Sequence, residues 1–386
     1  MTSDADRIPL PQVRDLLHVG QPLPFRVLDA QGRLLLNAGN VLVDDDQFEA
    51  LVERGAWAER PMVEAERAAR AAAAEKARKA APPASLFDRW EKLLWQFDKL
   101  TRALVRRETP GSAVLPFLVT LQELLDLDAD VALFLCVRQE DRRFALYALT
   151  HALHCAVLAL LTGRQLGWPA EKLTSLGGAA LTMNLTVLEL QATMAEQNDP
   201  PTNRQLEQIR AHPEASAQLL RTLGIADEAW LATVAQHHEQ AGGGGYPRAL
   251  QEVSDMAQVL RAADVYMAKI SARAKRPAMA PQLATRQLFQ QRPNDALTMA
   301  MVKTIGVHPP GSLVQLTSGE VAVSVRRPLK GTQPLVATLS DRNGKPIGQT
   351  HRRDTAQAEF AVTGPLQDAK AYARVLPERV YGWIAG

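Results

Sequence analysis

The chain has 386 residues, 44 lysines and arginines against 42 aspartates and glutamates, a net charge of +2 and two cysteines. Its length implies two or three domains. The near balance of charge excludes a general nucleic-acid-binding surface, and Cys136 and Cys155, both inside apolar helical patterns, exclude a disulfide framework and fit a reducing compartment.

Met1 to Arg14 lacks the charged-then-apolar order of a signal peptide, and no window reaches about 18 uninterrupted apolar residues, so no membrane span and a cytoplasmic location are expected. Phe25–Leu28 and Leu34–Leu36 flank Asp29-Ala30-Gln31-Gly32, which predicts a hairpin. Asp44-Asp45-Asp46 then precedes Phe48, Leu51 and Val52, with Gly55 following, which predicts a short helix with acidic residues at its positive end and glycine at its stop. A small α/β module is expected over residues 1–62.

From Glu64 to Lys79 the chain is almost wholly Ala, Glu, Arg and Lys, with high helix propensity but no apolar stripe wider than alanine. This reads as an exposed helical linker, with Pro82-Pro83 as its stop, over residues 63–85. Leu86, Trp90, Leu93, Leu94 and Phe97 then recur at three and four, opening a helical domain over 86–307. Past Val307 the runs Leu313–Leu316, Glu320–Val325 and Leu335–Leu339 are β-prone. Ser318-Gly319 separates the first two and Asp341-Arg342-Asn343-Gly344 follows the third, so a β-rich element is expected over 308–386.

The chemistry concentrates in the helical part. His237-His238-Glu239 followed by Gly245-Tyr246-Pro247 places two imidazoles, a carboxylate and a glycine-rich turn within eleven residues. Adjacent histidines on a helix point about 100° apart, so both reach one ion only at a helix end or distorted turn. His212 stands before Pro213, which disfavours helical backbone at the histidine. His151 has Tyr147, Ala148, His154 and Cys155 as its helical neighbours and is expected to be buried, with both cysteines as free core thiols. Asp264 lies beside an apolar stripe, where a carboxylate needs a cation or hydrogen-bond donors. Lys269, Arg273 and Arg276 recur at three and four, so they are expected to share one helix face able to hold phosphates or to stand in solvent.

The HHE…GYP segment resembles the signature of the HD-GYP family, cyclic-di-GMP phosphodiesterases built on a metal-binding helical bundle. The resemblance runs from about Leu121 to Val325. It implies a mainly α fold, an HD-type bundle with a small N-terminal α/β module and a short C-terminal β element. His212, His237 and His238 match the ligands of one of the family's two metal positions. His151 and Asp264 match half of the other, whose remaining ligands are a histidine-aspartate pair where this chain has Met183-Asn184. The family's aspartate bridges two cations about 3.5 to 4 Å apart, which neutral Asn184 cannot do, and the thioether of Met183 suits only soft ions. That position is expected to be vestigial, a core refilled at a disused site.

The cofactor expectation is one divalent transition-metal ion (iron, manganese, zinc or nickel) on the three imidazoles, released below about pH 6 as they protonate, or an empty pocket. Gly245, Tyr246, Pro247, Lys269, Arg273 and Arg276 match the family's ligand-side residues, which makes cyclic-di-GMP a candidate ligand beside a protein partner. No residue is assigned a catalytic role. Three functions are open: a catalytically weak or inactive regulatory module binding the dinucleotide or a protein, residual metal-dependent phosphodiester hydrolysis on a reduced site, or a scaffold whose N-terminal module does the work.

Overall fold

The structure, a computed structural model, describes residues 6–80, 84–139, 146–274, 276–328, 330–366, 372 and 375–382. It forms two compact units, Met1–Pro83 and Ala84–Gly386.

In the first unit the expected hairpin is present as β2 (Val27–Leu28) and β3 (Leu34–Leu36). The Asp29 carboxylate accepts from the backbone N–H of Gln31 and Arg33 at 2.9 and 2.8 Å, and Gly32 takes a φ of +82° that a residue with a Cβ adopts only under strain. Helix α1 (Asp45–Glu53) is capped by Asp44, whose side chain accepts from Gln47 N at 2.7 Å. Two further strands, β1 (Arg7–Pro9) and β4 (Trp57–Glu59), complete an antiparallel sheet of order β1-β4-β2-β3. The Ala-rich helix α2 runs from Arg60 to Ala80 and buries Val63 in the core formed with Leu10, Phe25 and Phe48. Pro82-Pro83, read as its stop, lies outside the described residues.

The second unit is a helical bundle with a sheet packed on it. Helix α3 (Leu86–Val105) starts at a capping box between Ser85 and Asp88 and buries Leu86, Trp90, Leu93 and Phe97, the stripe read from spacing. Helices α4 (Val114–Leu127) and α5 (Ala129–Val137) follow. Then comes α6 (Tyr147–Gln165), buried on nearly every face and therefore the inner helix of the bundle. Helix α7 (Ala170–Thr182) approaches its neighbours closely because Gly177 and Gly178 carry no side chain. A Cβ on Gly177 would stand 2.5 Å from Leu118, and one on Gly178 2.6 Å from the Trp230 ring. The indole N–H of Trp230 donates to Thr182 Oγ1 at 2.9 Å. This contact sets the spacing between the end of α7, where Met183 and Asn184 follow, and α10 (Glu228–Gln236), where His237 follows.

A 3-10 turn at Leu185–Val187 separates α7 from α8 (Leu188–Glu196), and this apolar stretch, Ala170–Glu196, has 67% of its most apolar window buried inside the bundle. Helices α9 (Asn203–Thr222), α11 (Asp255–Ile270), α12 (Pro281–Gln291) and α13 (Ala296–Ile305) complete the helical part.

The closing strands β5 (Leu313–Leu316), β6 (Val321–Arg326) and β7 (Leu335–Thr338) fall on the three β-prone runs. With β8 (Arg352–Asp354) and β9 (Val362–Pro365) they form an antiparallel sheet of order β8-β7-β6-β5-β9. Phe134 of α5 enters the core of that sheet with Val323, Val325 and Ala337. Arg326 bonds Asp128 at 2.8 Å and Arg327 bonds Asp130, so apolar packing and ion pairs both fasten sheet to bundle.

Candidate metal centre

His212 sits inside α9, so the expected break at the His-Pro step does not occur. Proline 213 has no N–H to give the carbonyl of Ile209 four residues back, and the ring of His212 takes that carbonyl instead, Nδ1 to Ile209 O at 2.5 Å. A carbonyl only accepts, so Nδ1 carries the proton and Nε2 is a bare lone pair. His237 is treated the same way. It caps the C-terminus of α10, and its Nδ1 donates to Val234 O at 2.6 Å.

The two bare Nε2 atoms face each other at 3.1 Å. With both protons committed to backbone carbonyls, neither has a hydrogen to share, and two facing lone pairs repel unless a cation sits between them. His238 closes the group: its ring centroid is 4.2 Å from that of His237 and 5.0 Å from that of His212. The helix-end geometry that adjacent histidines require is thus met, and one donor atom from each ring lies within 4.8 Å of the others. Burial lowers all three pKa values, to about 4 for His212 and about 3 for His237 and His238, with neighbouring imidazoles adding to the effect. Neutral, preoriented imidazoles are the donor set a zinc, nickel or iron ion takes, so these residues fit a metal.

The loop after His238 is built to hold this shape. Glu239, 1% exposed, is not aimed at a ligand: its oxygens accept from Arg248 N at 2.6 Å and Leu250 N at 3.0 Å, which closes the glycine loop. Gly242 and Gly243 have φ of +89° and +82° and bond across to Gln251 and Leu250, so the run forms a defined turn. A Cβ on Gly245 would stand 2.4 Å from Gln240 N and Glu239 Cα. That close approach lays the ring of Tyr246, which precedes Pro247, against His238 at 4.6 Å and an interplanar angle of 23°.

Across from these rings, Asp264 on α11 accepts from His151 Nε2 on α6 at 2.7 Å, and its other oxygen lies 3.8 Å from His238 Nδ1. Burial raises the Asp264 carboxyl, but the hydrogen bond from His151 and the nearby imidazoles outweigh it and hold it below the usual carboxylate range. The structure therefore brings together His151 and Asp264, as the resemblance implied, and adds Cys155, which the sequence reading left as a core thiol. Its Sγ is 3.6 Å from His151 Nε2.

Met183 is fully buried in the apolar core, as a refilled site requires. Asn184 departs from that reading: it is 2% exposed, and neither its Oδ1 nor its Nδ2 has a hydrogen-bond partner among the described residues. A buried amide in that state costs about 1–3 kcal/mol per unpaired group, so Asn184 is not an apolar filling of the core as Met183 is.

The three basic residues do not share one helix face. Helix α11 stops at Ile270. Lys269 in its last turn donates to Gln287 on α12 at 2.8 Å. Arg273 and Arg276 lie beyond the helix in a turn closed by their reciprocal backbone bonds of 2.9 and 3.1 Å. The Arg276 guanidinium donates to the carbonyl of Ala268, while that of Arg273 donates to the Tyr147 hydroxyl and lies 4.8 Å from the ring centre. Tyr147 in turn stacks on His151 at 5.3 Å and 18°, so Arg273 is joined to the histidine cluster through a hydrogen bond to that ring's hydroxyl. Arg261, one turn before Asp264 on α11, escaped the sequence reading. Its partly buried guanidinium acts electrostatically on Asp264, Tyr246 and His238, and it lines a cavity of about 340 Å³ with Gln240 and Arg292. The i, i+3 spacing to Asp264 was the available signal.

Comparison with known proteins places this geometry. Residues 135–296 match the family of the HD domain. The cyclic di-GMP phosphodiesterase PA4108 of Pseudomonas aeruginosa is 25% identical over 181 residues, 46% of this chain and 44% of that protein. The cyclic di-GMP phosphodiesterase PdeB of Borreliella burgdorferi is 27% identical over 126 residues, 32% of this chain and 33% of that protein. The matched stretch thus spans less than half the length of either relative. The solved structure of Bd1817, a HDG"Y"P protein from Bdellovibrio bacteriovorus, aligns at 13% identity with a TM-score of 0.43, over 76% of this chain and 96% of that one. Residues 135–296 thus match an HD domain, and the chain resembles the HD-GYP proteins over its helical part, with Met183 and Asn184 where that resemblance implies a histidine-aspartate pair.

Proposed function

We propose that the chain is a regulatory HD-GYP module in cyclic-di-GMP signalling, acting in the cytoplasm, that binds the dinucleotide or a protein partner and hydrolyses phosphodiesters weakly or not at all. The observation that carries this reading is the state of position 184. A neutral amide with no hydrogen-bond partner among the described residues stands at the position where the resemblance expects a bridging carboxylate, while one donor atom from each of His212, His237 and His238 lies within 4.8 Å of the others. His212, His237 and His238 would hold one divalent transition-metal ion, which as a Lewis acid would polarise a bound phosphate. Tyr246 offers a flat face against His238 for stacking a base, and Arg273, joined to the cluster through Tyr147, offers a guanidinium for a phosphate.

The test is a pair of measurements on one preparation. Calorimetry should give a heat of cyclic-di-GMP binding. Turnover with added iron, manganese or zinc should lie at least about a thousandfold below that of an intact family member, the scale of losing one preorganised charge-stabilising group. No heat at near-millimolar ligand removes the dinucleotide and leaves the protein partner. Full turnover abolished by His237→Ala removes the regulatory reading altogether.

A second reading, residual hydrolysis on the reduced site, draws on Asp264, whose carboxylate lies between His151 and His238 and could supply part of the missing charge. Slow turnover abolished by Asp264→Asn while cyclic-di-GMP still binds would favour it.

A further inference from the structure

We propose that the cavity between α11, α12 and α13, bordered by the loop after His238, binds a small phosphomonoester through the guanidiniums of Arg261 and Arg292. It goes beyond the function proposed above, since the place, the ligand class and the residues all differ from those given to cyclic-di-GMP. None of His151, His212, His237, His238, Asp264, Tyr246 or Arg273 lines this cavity.

One face of α11 builds the site. Gln258 and Arg261, a helical turn apart, both open onto the cavity of about 340 Å³, while Asp264, a turn further on, bonds to His151. The Gln258 amide is held at both ends: its Nε2 donates to Val253 O at 2.9 Å, and its Oε1 accepts from Arg292 Nη1 at 2.8 Å. A backbone carbonyl thus fixes an amide that in turn fixes the exposed Arg292 guanidinium. The two guanidiniums act on each other. Burial lowers the Arg261 pKa, Asp264 opposes that, and the Arg292 charge lowers it further.

Two cations facing one cavity repel unless an anion lies between them. Among the described residues Arg261 makes no hydrogen bond or ion pair, and Arg292 has only the neutral Gln258 amide. The two carboxylates on the cavity wall are committed elsewhere. Glu239 accepts from the backbone N–H of Arg248 and Leu250, and Asp295 caps α13 by accepting from Thr298 N at 2.7 Å.

The lining selects the ligand. Each guanidinium fork takes a pair of oxygens, so two forks suit a phosphate group, with its several oxygens, better than a carboxylate. A phosphomonoester carries about −1.5 to −2 charges at pH 7 against the two guanidiniums, whereas each phosphodiester of a cyclic dinucleotide carries only a single charge. Val259, Val265, Leu288 and Leu297 form an apolar wall that a bare ion leaves unused, so an ester with an apolar or flat body fits. The volume lies near the lower end of the range of about 300–1,000 Å³ for small-molecule pockets, which keeps that body small.

Calorimetry on metal-free full-length protein tests the site, with phenyl phosphate as the probe and no ion present to capture it. A heat of binding is expected, and Arg261→Gln and Arg292→Gln should each weaken it about ten- to a hundredfold, the value of a charge-assisted bond. Arg273→Ala should leave it unchanged. Inorganic phosphate should bind more weakly, and cyclic-di-GMP should not displace the probe. No heat at near-millimolar phenyl phosphate, wild-type affinity in Arg261→Gln and Arg292→Gln, or displacement by cyclic-di-GMP overturns the proposal. So does inorganic phosphate binding as tightly as the ester. If the arginine variants fold poorly, protection of Arg261 and Arg292 from phenylglyoxal by phenyl phosphate in wild-type protein decides the matter, absence of protection being the negative result. The two readings fail separately: phenyl phosphate binding without cyclic-di-GMP binding defeats the dinucleotide role alone, and the converse defeats this pocket alone.

Discussion

The two sides of the histidine cluster are built on opposite principles. On one side His212 and His237 each spend one ring nitrogen on a backbone carbonyl, at 2.5 and 2.6 Å, so tautomer and direction are fixed before any ligand arrives. On the other side the His151 ring has a buried Nδ1 with no hydrogen-bond partner among the described residues, and the buried Asn184 amide likewise has none. A preorganised donor set and an unfinished one thus stand on the two sides of Asp264: the first has backbone supports for its rings, and the second has none among the described residues.

The largest expected effect that sharpens this comparison is on acid stability. In the unfolded chain a histidine titrates near 6.5, whereas burial lowers His212 to about 4 and His237 and His238 to about 3. The folded state therefore favours the neutral rings. Their contribution is fully present above about pH 6.5 and is lost as pH falls from there towards 4, because the unfolded chain binds protons the folded one refuses. At pH 5 the effect is on the order of 2 kcal/mol per imidazole if each titrates alone. Denaturant midpoints of metal-free protein at pH 7 and pH 5 check it, and a flat profile would contradict the burial. The same values revise the expectation that a bound ion leaves below about pH 6. The folded rings stay neutral to about pH 4, so metal retention should persist to about that pH.

For cyclic-di-GMP the two arginines should separate. Arg273→Ala should weaken binding about ten- to a hundredfold, the value of a desolvated charge-assisted bond. Arg276→Ala should weaken it far less, since that guanidinium is engaged with the Ala268 carbonyl. Equal losses in calorimetry would mean that both turn arginines reach the ligand. Next, Gly245→Ala should destabilise the protein by about 1–3 kcal/mol, the usual scale of forcing atoms into packed space. It should also move Tyr246 off His238, read as a weakened metal or ligand affinity at unchanged fold. The smallest effect is on the unfinished side: Asn184→Leu, which removes two unpaired polar groups, should be neutral or stabilising by up to about 1 kcal/mol. A loss of several kcal/mol there would mean that the amide is engaged in the folded protein.

Much of the fold was legible locally. The stripe from Leu86 to Phe97, the acidic cap of α1 and the three β-prone runs after Val307 are patterns whose period and turn residues specify the element without help from distant parts of the chain. Strands β1, β4, β8 and β9 were not seen, since each is three or four residues long and exists through its ladder to a distant partner. Arg273 and Arg276 were read onto a helix face because their spacing suits one. Only the chain's departure at Ser271 shows that spacing to be incidental.

Sequence by itself determined which donors exist and which are gone: three histidines with the HHE…GYP segment, and no carboxylate at position 184. It could do so because residue chemistry is local. Tertiary structure decided how those donors are used. Pro213 frees the carbonyl that orients His212, Gly245 admits the backbone that stacks Tyr246 on His238, and the packing of α6 on α11 sets Cys155 beside His151 and Asp264. Those choices depend on atoms brought together from far apart in the chain, at distances that only the packed bundle fixes.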